Sequence, residues 1–189
     1  MRPRVVVYDA NVLYPSTLRD VLIRIGVRGL ARPKWSPQIL DEVFRNLRAN
    51  RPNLDSVRLD RTRRLMGEAV RDVAVTGYEP LIRRVDLPDP GDRHVLAAAI
   101  RAGADAIVTR NLRDFPARTL IPWGVKATHP DEFLRSLHDE YASALIEIMA
   151  EIARNWGDGA TATDVIDRLA LDAPRAAERI AIGIDPERR

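Results

Sequence analysis

An α/β fold with a mainly parallel sheet is what this sequence predicts, on three observations. Two short apolar runs, Val5-Val6-Val7-Tyr8 and Ala106-Ile107-Val108-Thr109, have the length and β-branched content of buried strands. Stretches with helical apolar spacing fill the chain between them, and helices separating short buried strands imply parallel pairing. The first run ends at an acid, Asp9, and in such sheets the ligand crevice lies at the strands' carboxyl ends.

Each element follows from local pattern. Leu18, Val21, Leu22 and Ile25 recur at three- and four-residue spacing and predict a helix over residues 17–28. Ser36-Pro37 reads as a cap with proline in the first turn, opening a helix that runs to about Ala49. Arg51-Pro52-Asn53 breaks it, and a weaker pattern containing Gly67 predicts a helix from Asp55 to Ala74. Val85-Asp86-Leu87 is expected as a short strand before the turn Pro88-Asp89-Pro90-Gly91. Asp92 then opens a helix carrying Val95, Leu96, Ala99 and Ile100, with Gly103 as its stop. Beyond Pro130, the residues Phe133, Leu134, Leu137, Tyr141, Leu145, Ile148, Met149 and Ile152 mark one long amphipathic helix to Trp156. Gly157-Asp158-Gly159 interrupts the chain, and Thr163 and Asp172 are expected to cap two shorter helices. No internal repeat or low-complexity segment occurs.

Composition narrows the function. The 189 residues suffice for one domain of ordinary size plus an extension. The absence of cysteine excludes disulfides, thiolate metal sites and a thiol nucleophile. No apolar run approaches the ~20 residues of a membrane span, and the run after Arg4 is too short for a signal-peptide core. A soluble, cytoplasmic protein is expected. The net charge of +3 conceals a segregation. Residues 1–130 hold 23 Lys/Arg and 14 Asp/Glu, a net +9, whereas residues 131–189 hold 7 and 13, a net −6. A basic body suited to a polyanion therefore carries an acidic appendage.

Four acids stand where this fold would place a site. Asp9 ends the first strand, Glu42 lies within the second helix, Asp92 follows the proline turn, and Asp114 lies five residues beyond the second strand. Taken singly, each such acid is more often a cap or a solvated charge. Together they form a hard oxygen donor set suited to Mg2+ or Mn2+.

Four segments in order resemble the motifs of a PIN domain. They are Val-Val-Val-Tyr-Asp-Ala-Asn, Ser-Pro-Gln-Ile-Leu-Asp-Glu-Val, Asp-Pro-Gly-Asp-Arg-His-Val-Leu-Ala-Ala-Ala-Ile and Ile-Val-Thr-Arg-Asn-Leu-Arg-Asp-Phe. The resemblance covers residues 4–130 and implies a three-layer α/β/α fold in a PIN-like nuclease domain at 1–130. Residues 131–189 then form an acidic α-helical C-terminal extension. It implies a metal-dependent endoribonuclease using Mg2+ or Mn2+, of the VapC type found in toxin–antitoxin pairs, cleaving to a 5′-phosphate and a 3′-hydroxyl. Carried over residue by residue, Asp9, Glu42, Asp92 and Asp114 match the acidic quartet that binds metal, and Asn11, Thr109 and Asn111 match its polar supports. The quartet's fourth acid can also fall nearer Thr109, where this chain has Asn111. RNA as substrate, a protein antitoxin and a homodimer are implied in the same way. Converging carboxylates should repel one another and raise some of their pKa values.

The remaining candidates are weighed against plainer roles. Asp41, about 100° around the helix from Glu42, is expected to be solvated, and Asp89 to be a turn former or a neighbour of the metal. His94, His129 and His138 show no ligand spacing; His94 could at most touch substrate. Arg110 and Arg113 bracket the fourth motif and are expected to bind substrate phosphates. Arg45, Arg48, Arg51, Arg58, Arg61, Arg63, Arg64 and Arg71 are either a phosphate track or a solvated face. Trp35, Trp123 and Trp156 are too scattered for a stacking platform. The acidic extension is expected to pack on the body or in a dimer interface, with restraint of the body or antitoxin docking as sharper roles. Residues 163–182 faintly resemble a helix-turn-helix, against which their acidity speaks. Two rival functions stand beside the nuclease. A haloacid-dehalogenase-like phosphohydrolase would need a second Asp where Asn11 stands and a phosphate lysine, for which neither Lys34 nor Lys126 is placed. A non-catalytic RNA- or partner-binding module would have no use for four converging acids.

Overall fold

The computed structural model describes residues 3–157 and 159–184. It begins with β1 (Val5–Tyr8), α1 (Ala10–Leu13), α2 (Ser16–Val27), β2 (Arg32–Lys34), α3 (Pro37–Asn50) and α4 (Ser56–Ala69). Then come α5 (Glu79–Ile82), α6 (Arg93–Ala102), β3 (Ala106–Val108), α7 (Ala117–Leu120) and β4 (Lys126–Thr128). The chain closes with α8 (Pro130–Trp156), α9 (Ala162–Leu169) and α10 (Pro174–Ile184).

The strands are all parallel, in the order β2-β1-β3-β4. Helices layer the sheet, as expected of a PIN-like α/β/α fold with an α-helical C-terminal extension. The chain moves outward from β1 to β2 and then returns to β3 on β1's other side. The reversal leaves a switch point between the carboxyl ends of β1 and β3, where ligands bind in open parallel sheets. Register brings Tyr8 opposite Val108, so Asp9 and Thr109 emerge side by side.

The interior is continuous from body to extension. Tyr8 is fully buried, stacked on Trp35 at 6.3 Å and edge-on to Phe133 at 6.1 Å. Leu145, Ile148, Ile152, Val165, Leu169 and Ile180 join the same core as Val6, Leu22 and Ile107. Full burial of each such side chain favours the folded state by about 1.5–3 kcal/mol. The segregated charge closes on itself: Arg4 pairs with Glu140 at 2.9 Å, Arg24 with Glu151 at 3.0 Å, and Arg28 with Glu147 at 2.6 Å and also with Glu151. Exposed pairs of this kind contribute only about 0–1 kcal/mol each. The apolar contact therefore carries the docking, and the pairs set which faces meet.

Several expectations need correction. β2 and β4 were not foreseen: both are three-residue edge strands, β2 with two charged residues and a proline and β4 with one lysine, and Pro33 is tolerated because an edge strand leaves one side unpaired. Val85-Asp86-Leu87 is not a strand; it is irregular chain that buries Val85 and Leu87. α4 ends at Ala69 rather than Ala74, because Val70 is extended and Asp72 has a positive φ of 56°. Beyond that turn, Trp35 N–H donates to the Val73 carbonyl and Val75 N–H to the Trp35 carbonyl. α8 is kinked at Tyr141 (φ −139°, ψ 41°). Thr161, not Thr163, caps α9 in a capping box with Asp164, and α10 starts at Pro174, so Asp172 lies in the connector before it. Of the break at Gly157-Asp158-Gly159, Asp158 lies outside the described residues. No helix among the described residues is long and apolar enough to cross a membrane.

Candidate metal centre and active site

Asp9 is buried at the carboxyl end of β1, where it caps α1. Its Oδ1 accepts from Ala10 N–H at 2.6 Å, and its Oδ2 accepts from Asn11 Nδ2 at 2.6 Å and from the Thr109 hydroxyl at 2.7 Å. A carboxylate offers about four acceptor directions, so one on Oδ1 is left. Asn11 Nδ2 also donates to Thr109 Oγ1 at 3.0 Å, and Asn11 Oδ1 accepts from the Arg110 N–H at 3.0 Å. Asn111 N–H donates to Thr109 Oγ1 at 3.0 Å. The expected supports Asn11, Thr109 and Asn111 thus form one network that stitches the ends of β1 and β3 together.

Two further acids are placed by the same local device. A 3-10 turn over Pro90–Asp92 follows Asp89, and another over Leu112–Asp114 follows Asn111. Side chains three apart eclipse on such a turn, which brings Asp89 over Asp92 and Asn111 over Asp114. Asp89 accepts from Gly91 N–H at 2.7 Å, and Asn111 Nδ2 donates to Asp114. Carboxylate oxygens of Asp89, Asp92 and Asp114 lie within 4.8 Å of one another. That acidic triad, one exposed and two half-buried groups, is a donor set that could hold a hard divalent cation.

The electrostatics bear the strain of this convergence. Burial first, and then the charges of Asp9, Asp89, Asp114 and Glu42, push the Asp92 pKa up to about 7. Burial likewise raises Asp9, partly offset by its bonds from Thr109 and Ala10. Mutual repulsion, the expected cause, contributes through four neighbours of Asp92, and desolvation is the largest single cause.

Of the expected quartet, the structure groups Asp92 and Asp114 most tightly, with Asp9 and Glu42 close enough to act on Asp92 through space. Glu42 faces His94 instead, Oε2 to Nε2 at 3.6 Å. His94 is buried, and its Nδ1 has no hydrogen-bond partner among the described residues. The sequence signal for this burial is one polar residue inside the buried run His94–Ala99. Asp89, expected as a turn former or a neighbour of the metal, caps the proline turn through Gly91 N–H and stands with Asp92 and Asp114.

The flanking cations are partly spoken for. Arg113 is exposed, while Arg110 pairs with Asp172 at 3.0 Å. Asp41 is exposed, as expected, and pairs with Arg63 at 2.5 Å, and Arg48 pairs with Asp60 at 2.5 Å. Arg51 and Arg58 line a cleft with Tyr14, Arg19 and Leu54, and none of the four expected acids lines it. A continuous phosphate track toward the acids is not seen. Trp35 is core, and Trp156 is 45 % exposed.

Comparison with known proteins agrees with this geometry. Residues 5–113 match the family described as PIN domain. A protein of Mycobacterium tuberculosis (strain ATCC 25618 / H37Rv), named "Putative ribonuclease VapC50", is 39 % identical over 104 residues. The aligned stretch is 54 % of this chain and 61 % of that relative. No solved structure matches.

Proposed function

Because this chain belongs to the PIN domain family, we propose that it is a metal-dependent endoribonuclease that hydrolyses RNA phosphodiester bonds. The observation that carries the reading is the meeting of Asp89, Asp92 and Asp114 beside buried Asp9 at the β1/β3 switch point. Asp92 and Asp114 with Asp9, assisted by Asp89 and Glu42, would hold Mg2+ or Mn2+. Bound there, the ion supplies neutralisation of phosphoryl charge and a lowered pKa for water.

The chain's own residues do the rest. Asn11 and Thr109 fix the Asp9 carboxylate in one orientation, and Asn111 does the same for Asp114. Burial and the neighbouring carboxylates push the Asp92 pKa up to about 7, so Asp92 would have to be deprotonated to serve as a ligand. Arg110 and Arg113 flank the acids and offer guanidinium groups to the RNA backbone. The role of toxin in a toxin–antitoxin pair, with a protein antitoxin as partner and a homodimer as the assembled form, belongs to the same proposal. So does the division into a nuclease domain at 1–130 and an extension at 131–189.

The phosphohydrolase rival loses further ground. Asn11 has no titratable proton, and Lys34 is bound to the Asp72 carboxylate at 2.8 Å. The test is cleavage of a labelled single-stranded RNA with Mn2+, with chelator, and by Asp9→Asn and Asp92→Asn. The expected result is cleavage with Mn2+ alone, lost in both variants while each stays folded, and no turnover of small phosphomonoesters. Cleavage that persists in chelator, or in both variants, refutes the reading.

A further inference from the structure

The match to the PIN domain family ends at residue 113, yet the chain beyond it returns to Arg110, which follows Thr109 of the Asp9 network. Asp172 lies in the connector between α9 and α10, with its N–H bonded to the Leu169 carbonyl at 2.9 Å. Leu169 and Ala173 on either side are fully buried, and Asp131 caps Ala176 N–H at 2.8 Å just beyond. The connector is thus fixed, and it delivers the Asp172 carboxylate to Arg110 Nη1 at 3.0 Å. The carboxylate side chain is 13 % exposed and the arginine side chain 44 %.

Arg110 is held at both ends. Its N–H donates to Asn11 Oδ1, and Asn11 in turn donates to Asp9 and Thr109. Its guanidinium is tethered by the extension through a single nitrogen. A guanidinium has five N–H donors in a planar fork, so most of the fork remains free on the more exposed partner. A long side chain already fixed in one orientation loses less rotamer freedom when an anion binds.

We propose that the C-terminal extension contributes to the substrate-binding rim, with Asp172 as a positioning residue that holds the guanidinium of Arg110, one residue past Thr109 of the Asp9 network, for an RNA phosphate. The proposal rests on the ribonuclease reading. The opposite role, in which Asp172 occupies Arg110 and keeps RNA away, predicts an effect of opposite sign.

The experiment is steady-state cleavage of a labelled single-stranded RNA by the full chain in Mn2+, for wild type, Asp172→Asn, Arg110→Ala and the double variant. Asp172→Asn is expected to raise KM about three- to tenfold with kcat nearly unchanged and an unchanged melting temperature. The double variant should be no worse than Arg110→Ala, since Asp172 acts only through Arg110. A KM that is lowered or unchanged in Asp172→Asn, or additive effects in the double variant, overturns the proposal. Should Asp172→Asn loosen the connector, Arg110→Lys decides, keeping the charge but losing the fork: a raised KM supports the proposal and a wild-type KM overturns it. Wild-type protein that fails to cleave RNA overturns the ribonuclease reading, whereas wild-type cleavage with Asp172→Asn unaffected overturns only the role of Asp172.

Discussion

Replacing Asp92 with Asn removes one negative charge from the carboxylate cluster at nearly constant shape. Burial and four neighbouring acids lift the Asp92 pKa from 3.8 to about 7. Between those values the folded chain keeps a proton that the unfolded chain releases. The stability this confers is fully present below pH 3.8 and is lost as pH rises through about 7. At face value the span corresponds to about 4 kcal/mol, and solvent screening at a half-exposed group reduces it to roughly 1–2 kcal/mol. For a chain of this size that is about 2–8 °C in melting temperature. Metal-free Asp92→Asn should therefore melt close to wild type near pH 4 and above it by that margin at pH 8. Differential scanning fluorimetry in a chelating buffer across this range reads the difference. Millimolar Mn2+ at pH 8 should reverse the order, since wild type gains a ligand-bound folded state and the variant does not. A margin that stays constant with pH, or a wild type indifferent to Mn2+, would refute the argument that these acids crowd one cation site.

Three other outcomes follow from particular contacts. Gly26→Ala would set a Cβ 2.5 Å from Pro33 Cγ and 3.2 Å from Val70 Cγ2; the overpacking should cost about 1–3 kcal/mol, read by urea denaturation, and an unshifted midpoint would show that Pro33 yields. Truncation after Pro130 removes Phe133 from Tyr8 and strips α8 and α9 from α2. Loss of cooperative unfolding by circular dichroism is expected, and a well-folded fragment would show that the body's core closes without the extension. Arg113→Ala should weaken RNA binding alike across sequences and reduce the salt slope by about one, measured by filter binding from low to high salt; an unchanged slope would mean that Arg113 contacts no phosphate.

Much of the body was legible from local pattern. β1 and β3 sit at the centre of the sheet, buried on both faces, so their composition had to be apolar and β-branched. β2 and β4 lie at its edges, where burial is partial and pairing is one-sided; Arg32-Pro33-Lys34 therefore carries no strand signal. Ser36 and Gly103 end their helices as expected, because capping chemistry is local. The start of α10 was misplaced because Asp172, a good cap by type, is spent on Arg110, 62 residues away.

The sequence alone determined the fold class and the opposed charges of body and extension, and it marked Asp9, Glu42, Asp92 and Asp114, with Asn11, Thr109 and Asn111, as candidates for the site. Those rest on residue identity, short-range spacing and one recognisable set of motifs. Only the tertiary structure decided that Asp89 joins Asp92 and Asp114, that His94 faces Glu42, and that Glu140, Glu147, Glu151 and Asp172 of the extension lie against arginines of the body. The physical reason is range. A cap or an apolar stripe is set within a few residues of chain, whereas a carboxylate's partner, burial and pKa depend on which distant elements the shared core brings to it.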